Sequence, residues 1–322
     1  MKPSGPGRLH AATGPGAGAN TVPGAVEPGQ ARRILIIANP TAGGFNARTL
    51  EEIAEKLRTG GHHVHIQLTR RAGEIGATCA GPTLKADVVV IAGGDGSINE
   101  AITGFGERAD PPALAVVPFG TANVLAQELK LPFKPARIAE MILADRRKPL
   151  HYGLANGHPF VLMASAGVDA QVVHAIPLDL KRRFGKLAYV LTALKIAFSG
   201  RKGSDIEVLT QGETIRCRLA VITNGKCYGG PFVICPEAAV TEPGLHLVAL
   251  RRDDIAASLW AGIALALGRI HKARNVITRP VSHAEIRSSA PVAAQIDGDP
   301  FGMTPLVVEA VQNTVPIIVP RP

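Results

Sequence analysis

Asp87-Val88-Val89-Val90-Ile91-Ala92-Gly93-Gly94-Asp95-Gly96-Ser97-Ile98-Asn99-Glu100 is the stretch on which the fold turns. Its first six residues form an apolar run of strand length, suited to a strand buried on both faces. The glycines that follow let the backbone turn tightly and approach an anion, because no side chain intervenes. A helix is expected from about Ser97, with Ser97 and Glu100 spaced as a capping box. Amide groups at such a helix start point at a phosphate. Taken alone, the run also reads as an ordinary strand-to-helix turn.

The same rhythm extends to either side. Ile34–Ala38 is a second apolar run, followed by the turn Asn39-Pro40-Thr41-Ala42-Gly43-Gly44. Leu50, Ile53, Ala54 and Leu57 then recur at helical spacing until Gly60-Gly61, and Val64–Leu68 reads as a strand. Ala113–Val117 is another strand, followed by Pro118-Phe119-Gly120-Thr121-Ala122-Asn123 and a helix to about Leu129. Strands alternating with helices imply a parallel sheet covered on both faces. In such a sheet the three turns lie together at the carboxyl ends of the strands, where ligands bind.

From about residue 150 the pattern changes. Leu150, Tyr152 and Leu154 alternate, and Asn156-Gly157 marks a hairpin. Short strands are expected at Ile206–Leu209, Ile215–Thr223, Leu245–Leu250, Ala284–Arg287 and Val292–Ile296, with helical pieces at Leu187–Phe198 and Ile255–Ile270. The fold class is therefore α/β plus β, in two lobes. Residues 1–31 form a Gly/Pro-rich tail, with seven Gly and five Pro in the first thirty positions. That composition buries too little surface to order itself.

Composition narrows the functions. The net charge of +9 favours an anionic partner: a nucleotide, a nucleic acid or an acidic bilayer. Aromatic residues are only 4%, which argues against stacking platforms for single strands, so no nucleic acid is expected. The four cysteines, Cys79, Cys217, Cys227 and Cys235, form no Cys-x-x-Cys pair and read as reduced thiols. The longest uncharged apolar run, Ile255–Gly268, is shorter than the ~20 residues of a spanning helix. The expected location is cytoplasmic, with peripheral membrane association. His63 and His65 would share one strand face but have no carboxylate or cysteine cluster beside them, and read as solvated.

The three turns, in this order and spacing, resemble the diacylglycerol kinase catalytic family, which includes bacterial lipid kinases and is related to sphingosine and ceramide kinases. The resemblance runs from about Arg33 to the C-terminus. It implies a nucleotide lobe at 32–149, joined by returning C-terminal strands at 305–322, and a β-rich lipid-substrate lobe at 150–304. The implied activity is transfer of the γ-phosphate of ATP, with Mg²⁺ on the nucleotide, to a lipid hydroxyl in phospholipid metabolism. The implied ATP contacts are Asn39, Pro40, Thr41, Ala42, Gly43, Gly93, Gly94, Asp95, Gly96, Ser97, Ile98, Asn99 and Thr121. Thr69 resembles a further nucleotide-contacting threonine, or is a solvated strand end.

In Gln295-Ile296-Asp297-Gly298-Asp299 the last acid stands where relatives carry their proton acceptor. In extended backbone Asp297 and Asp299 share a face, so that one takes the hydroxyl proton and the other helps to hold the metal–nucleotide complex. Asp-Gly-Asp is equally a turn sequence. Asp95 is the rival base by resemblance to sphingosine kinases.

Three departures stand out: Asp299 is one methylene shorter than the family's Glu, Val124 replaces an Asp, and Pro243 precedes Gly244 where relatives carry a metal-holding Asp. The metal ligands are left unknown. Basic groups at Lys181-Arg182-Arg183, Lys186, Arg201-Lys202, Arg251-Arg252 and Arg269–Arg274 read either as solvated surface or as contacts to an anionic bilayer. A homodimer is among the expected assemblies. The competing functions are an NAD-kinase-like or other small-molecule kinase, and a non-catalytic ATP-binding sensor at a membrane.

Overall fold

The structure, a computed structural model, describes residues 30–106, 108–175, 205–252 and 255–321. The expected helix at Leu187–Phe198, the basic groups Lys181–Arg183, Lys186 and Arg201–Lys202, and nearly all of the N-terminal tail lie outside these residues.

The first lobe follows the apolar runs. Its elements are β1 (Arg33–Ala38), α1 (Ala47–Thr59), β2 (His63–Leu68), α2 (Glu74–Ala80), β3 (Val88–Gly93), α3 (Asp95–Phe105), β4 (Ala113–Pro118), α4 (Val124–Glu128), α5 (Pro135–Ala144) and β5 (Arg147–Leu150). Every residue of β3 is buried, as befits a central strand flanked by helices. Helix α1 starts where the Asn46 side chain accepts the Thr49 N–H at 2.9 Å, a cap worth about 1 kcal/mol. It buries Leu50, Ile53, Ala54 and Leu57, the predicted stripe. Helices α2 and α5 were not foreseen; α5 carries Pro135 at its start, a signal that sequence reading can use.

The second lobe packs two six-stranded sheets face to face. Its elements are β6 (Gly153–Ala155), β7 (His158–Phe160), β8 (Met163–Gly167), α6 (Val168–Ala175), β9 (Ile206–Thr210), β10 (Glu213–Cys217), β11 (Leu219–Thr223), β12 (Cys227–Tyr228), β13 (Phe232–Val233), β14 (Leu245–Leu250), α7 (Ile255–Ala266), β15 (Val276–Val281), β16 (His283–Ser288), β17 (Ala293–Ile296), β18 (Asp299–Met303) and β19 (Leu306–Ala310), and the last strand, β20 (Val315–Ile318), joins the sheet of the first lobe. One sheet runs β10-β9-β16-β19-β6-β7 and the other β15-β14-β11-β8-β17-β18. Phe160, Val208, Ile222, Leu247, Ile286 and Val308 meet between them. Asn156 and Gly157, both at positive φ, close the predicted hairpin.

Two boundaries differ from expectation. The single strand foreseen at Ile215–Thr223 is two, because the chain changes sheets at Arg218. Of the strands expected to return to the first lobe, only β20 does so, lying between β4 and β5. β19 pairs instead with β16 and β6 inside the sandwich. Its alternating burial suits that half-exposed sheet, whereas β20 is buried throughout.

Candidate active site

The parallel sheet has the order β2-β1-β3-β4-β20, so connections leave β1 and β3 in opposite directions. A crevice opens at such a switch point, beyond the carboxyl ends of the strands. The three predicted turns stand there and touch. A Cβ on Gly94 would lie 3.1 Å from Gly120 Cα, and one on Gly43 would lie 3.5 Å from Thr121 Oγ1. Gly44 donates its N–H to the Phe119 carbonyl at 2.8 Å, and the Phe45 and Phe119 rings meet edge to face at 5.9 Å. Within the first turn, Asn39 Oδ1 accepts the Thr41 N–H at 2.9 Å and the Thr41 hydroxyl at 2.8 Å. This leaves Pro40, Thr41, Gly43 and Thr121 exposed around the crevice, with Ala42 half-buried. Thr69 is buried, not a solvated strand end, and its hydroxyl is turned to the Ala38 carbonyl at 3.4 Å.

Helix α3 begins at Asp95, two residues before the expected start, and no side chain caps it. The Ser97–Glu100 capping box does not form. Ser97 packs beneath Gly93, where an added Cβ would lie 2.5 Å from its hydroxyl. The uncapped first turn leaves amide groups facing the crevice, a fit for phosphate. Ile98 does not reach the crevice: its side chain is in the core and its N–H bonds the Gly94 carbonyl. Asn99 is also turned away. Its Nδ2 donates to the Pro159 carbonyl at 2.9 Å and to Asp297 Oδ2 at 2.8 Å.

The three candidate acids separate by their surroundings. Asp297 and Gly298 form a turn at φ 49° and 85°, so Asp297 and Asp299 do not share a strand face. The Asp297 carboxylate is taken up by four donors. It accepts the N–H groups of Val161 and Leu162, both at 2.8 Å, and Met163 at 3.0 Å, besides Asn99. It ties the lobes together through Asn99, and burial pushes its carboxyl up to about 6 against the pull of those donors. Asp95 accepts the N–H groups of Val124 at 2.9 Å and Leu125 at 3.0 Å, which fixes the third turn and α4 against α3. Burial raises its pKa and Asp299 adds to the rise. Asp299 is exposed at the start of β18 and reaches across from the second lobe. A Cβ on Gly96 would lie 3.2 Å from its Oδ2.

Sequence reading missed the side chains that hold the turn before Asp299. Gln295 Oε1 accepts the Gly298 N–H at 2.8 Å, while its Nε2 donates to Ser165 Oγ at 2.7 Å and to Asp169 Oδ2 at 3.5 Å. Asp169 also accepts from Ser165 at 2.5 Å and from the Tyr228 hydroxyl at 3.1 Å. Burial raises the pKa values of Asp169 and Tyr228, and the carboxylate raises Tyr228 further. Glu128 makes a second tie between lobes, accepting the Cys227 N–H at 2.9 Å. No spacing rule links these residues; the one local cue is a polar residue inside a buried strand run, as at Ser165 and Gln295.

Among the described residues no three His, Cys, Asp or Glu side chains cluster as a metal site. His63 and His65 lie exposed on β2, the edge strand. Glu242, beside Pro243, is exposed.

Residues 33–155 match the family model for the diacylglycerol kinase catalytic domain, and residues 163–319 match the YegS C-terminal NAD kinase beta sandwich-like domain. A Bacillus subtilis protein named "Diacylglycerol kinase" is 26% identical over 298 residues, covering 90% of this chain and 97% of the relative. A Pseudomonas putida protein named "Probable lipid kinase YegS-like" is 30% identical over 249 residues, covering 76% of this chain and 81% of its own. A crystal structure of a diacylglycerol kinase from Bacillus anthracis shares the fold at TM-score 0.69 and 19% identity, covering 89% of this chain and 97% of that one.

Proposed function

Because the chain belongs to the diacylglycerol kinase-like family of lipid kinases, we propose that it transfers the γ-phosphate of ATP to a hydroxyl of a diacylglycerol-like lipid. The observation that carries this reading is the approach of Asp299, from the second lobe, to Gly96 in the uncapped first turn of α3. A carboxylate suited to accept a proton and a turn suited to hold phosphate thus lie side by side.

Phosphoryl transfer asks a protein chiefly for positioning and for neutralisation of charge. The main-chain amides at Gly94 to Gly96, and those of the Asn39–Gly43 and Gly120–Thr121 turns, bind and orient the nucleotide phosphates. Mg²⁺, when bound with the nucleotide, neutralises phosphate charge, and Asp299 and Asp95 are the carboxylates that would face it. Asp299 accepts the proton of the attacking hydroxyl. Asp95 is less suited as base, because two amide donors already occupy its carboxylate. It holds the second and third turns at a fixed separation. Asp297 and Gln295 hold the turn from which Asp299 projects. The acceptor lipid is presented at the surface of a bilayer, where the protein works as a peripheral enzyme.

The second lobe matches an NAD kinase beta sandwich-like domain, and the rival reading to be tested beside the lipid is a soluble nucleotide acceptor. The test is incubation with γ-labelled ATP, Mg²⁺ and mixed micelles of diacylglycerol, a sphingoid base or phosphatidylglycerol, beside NAD. Label in a lipid, lost in Asp299→Asn while ATP binding persists, is expected. Label in NAD, or in no acceptor, refutes the reading.

A further inference from the structure

Helix α7 departs from what a surface helix should look like. One side is seated: Ala261 is buried, and Ala264 and Leu265 pack on the same core group as Val248, Leu250 and Ile270. The opposite side should then be polar. Instead Trp260 is 70% exposed, Ile263 45% and Leu267 67%, and no charged residue occurs from Ile255 to Gly268. The three recur at helical spacing along one face. A Cβ added to Gly262 would meet nothing within 4 Å. Beside the helix runs β13, whose Phe232 is 42% exposed.

The C-terminal end of this face is cationic. Arg269, Lys272 and Arg274 follow it, all exposed, whereas Arg251 and Arg252 before it are offset by Asp253 and Asp254. From 251 to 274 the chain carries five Lys and Arg against two acids. An apolar face with a tryptophan and flanking cations is the pattern of an element lying in the surface of an anionic bilayer. Indole suits that depth, with one end apolar and the other wet. A second copy of the chain fits poorly. A two-fold pairing of α7 would bring together two segments that each carry a net three positive charges, five Lys and Arg less two Asp.

We propose that α7 docks the protein on an anionic lipid bilayer, with Trp260, Ile263 and Leu267 inserted and Arg269 and Lys272 at the headgroups. The inference deepens the lipid kinase reading and rests on it for the identity of the partner. Trp260 is the only tryptophan in the sequence, so its fluorescence reports this helix alone.

The test uses the full chain with vesicles of phosphatidylcholine, with and without phosphatidylglycerol, and with brominated acyl chains as quencher. Trp260 emission is expected to shift to the blue and be quenched only with the anionic vesicles, and salt is expected to reverse this. Arg269→Gln with Lys272→Gln is expected to weaken vesicle binding by roughly thirty-fold. Ile263→Ser with Leu267→Ser is expected to abolish labelling of vesicle lipid while sparing a water-dispersed short-chain acceptor.

Protein that floats with vesicles while Trp260 stays unquenched overturns the proposal, because another face docks. So does protein that never floats. A blue shift that grows with protein concentration in the absence of lipid also overturns it, in favour of self-association. A wild type that docks through Trp260 yet labels no lipid upholds the docking and refutes the kinase reading. Labelling of vesicle lipid without quenching does the reverse.

Discussion

Gly120→Ala tests whether the site depends on two turns meeting main chain to main chain. The added Cβ would lie 2.5 Å from Gly94 Cα and 2.7 Å from Asn123 Oδ1. Ordinary carbon contacts lie at about 3.5–4.0 Å, so the overlap is roughly 1 Å. Neither obstacle is a flexible tip. Gly94 caps α3, and Asn123 sits at φ 48° with its Nδ2 donating to the Gly120 carbonyl at 2.8 Å and the Pro118 carbonyl at 3.3 Å. The second and third turns must therefore separate by about 1 Å. A displacement of that size at a catalytic centre costs on the order of a hundred-fold in rate, or about 2.7 kcal/mol of barrier. The overpacking itself costs about 1–3 kcal/mol of stability.

The assay is transfer of labelled phosphate, with nucleotide affinity measured by equilibrium dialysis and folding by thermal melting. Gly157→Ala serves as the control, since it sits at φ 79° with open space around it and outside the three turns. The control is expected to lose about 1–2 kcal/mol of stability and no activity. Turnover and nucleotide affinity within about two-fold of wild type in Gly120→Ala, with the fold intact, would refute the reasoning.

Other outcomes follow from the same contacts. Asp299→Asn is expected to lower turnover by about 10²–10⁴-fold with little change in melting, as for removal of a general base; a fall below ten-fold would move that role elsewhere. Asp297→Ala leaves the N–H groups of Val161, Leu162 and Met163 without an acceptor, and is expected to cost on the order of 3–5 kcal/mol in urea unfolding. The Asp297 carboxyl, at about 6, lies above the ~3.9 of an unfolded chain. Its stability contribution is therefore full below about pH 4 and lost as pH rises through about 6, so the gap between wild type and Asp297→Asn should narrow over that window; a constant gap would contradict it. Gln295→Leu removes the acceptor for the Gly298 N–H, and is expected to lower kcat by about ten-fold while leaving ATP affinity unchanged, a split that distinguishes loosening of Asp299 from general damage. Burial holds the thiols of Cys79, Cys217 and Cys227 at about 12 and Cys235 at about 11, so none should react with a disulfide reagent at pH 8 until the protein unfolds.

Apart from α2 and α5, the elements and turns of the first lobe could be read from local chemistry. Runs such as Val88–Ala92 are apolar because both their faces are covered, and Asn156-Gly157 sets its own backbone, so neighbours in sequence are enough to recognise them. The three turns that meet at the ends of β1, β3 and β4 were legible for the same reason. What local pattern left open was the assignment of the acids. Asp95, Asp297 and Asp299 are alike as residues, and their difference lies in donors 29, 136 and more positions away. Asp297 takes its amides from Val161 to Met163 within its own lobe, and only the closing of one lobe on the other gives it Asn99 and brings Asp299 over Gly96. The pairing of Asp169 with Tyr228 and Gln295 was hidden for the same cause, since three segments of chain must fold together before their polar atoms can satisfy one another. Sequence fixes what each segment is able to do, through backbone preference and side-chain polarity. Which carboxylate is spent on holding the fold is decided by contacts between segments far apart in sequence, which exist only once the chain has folded.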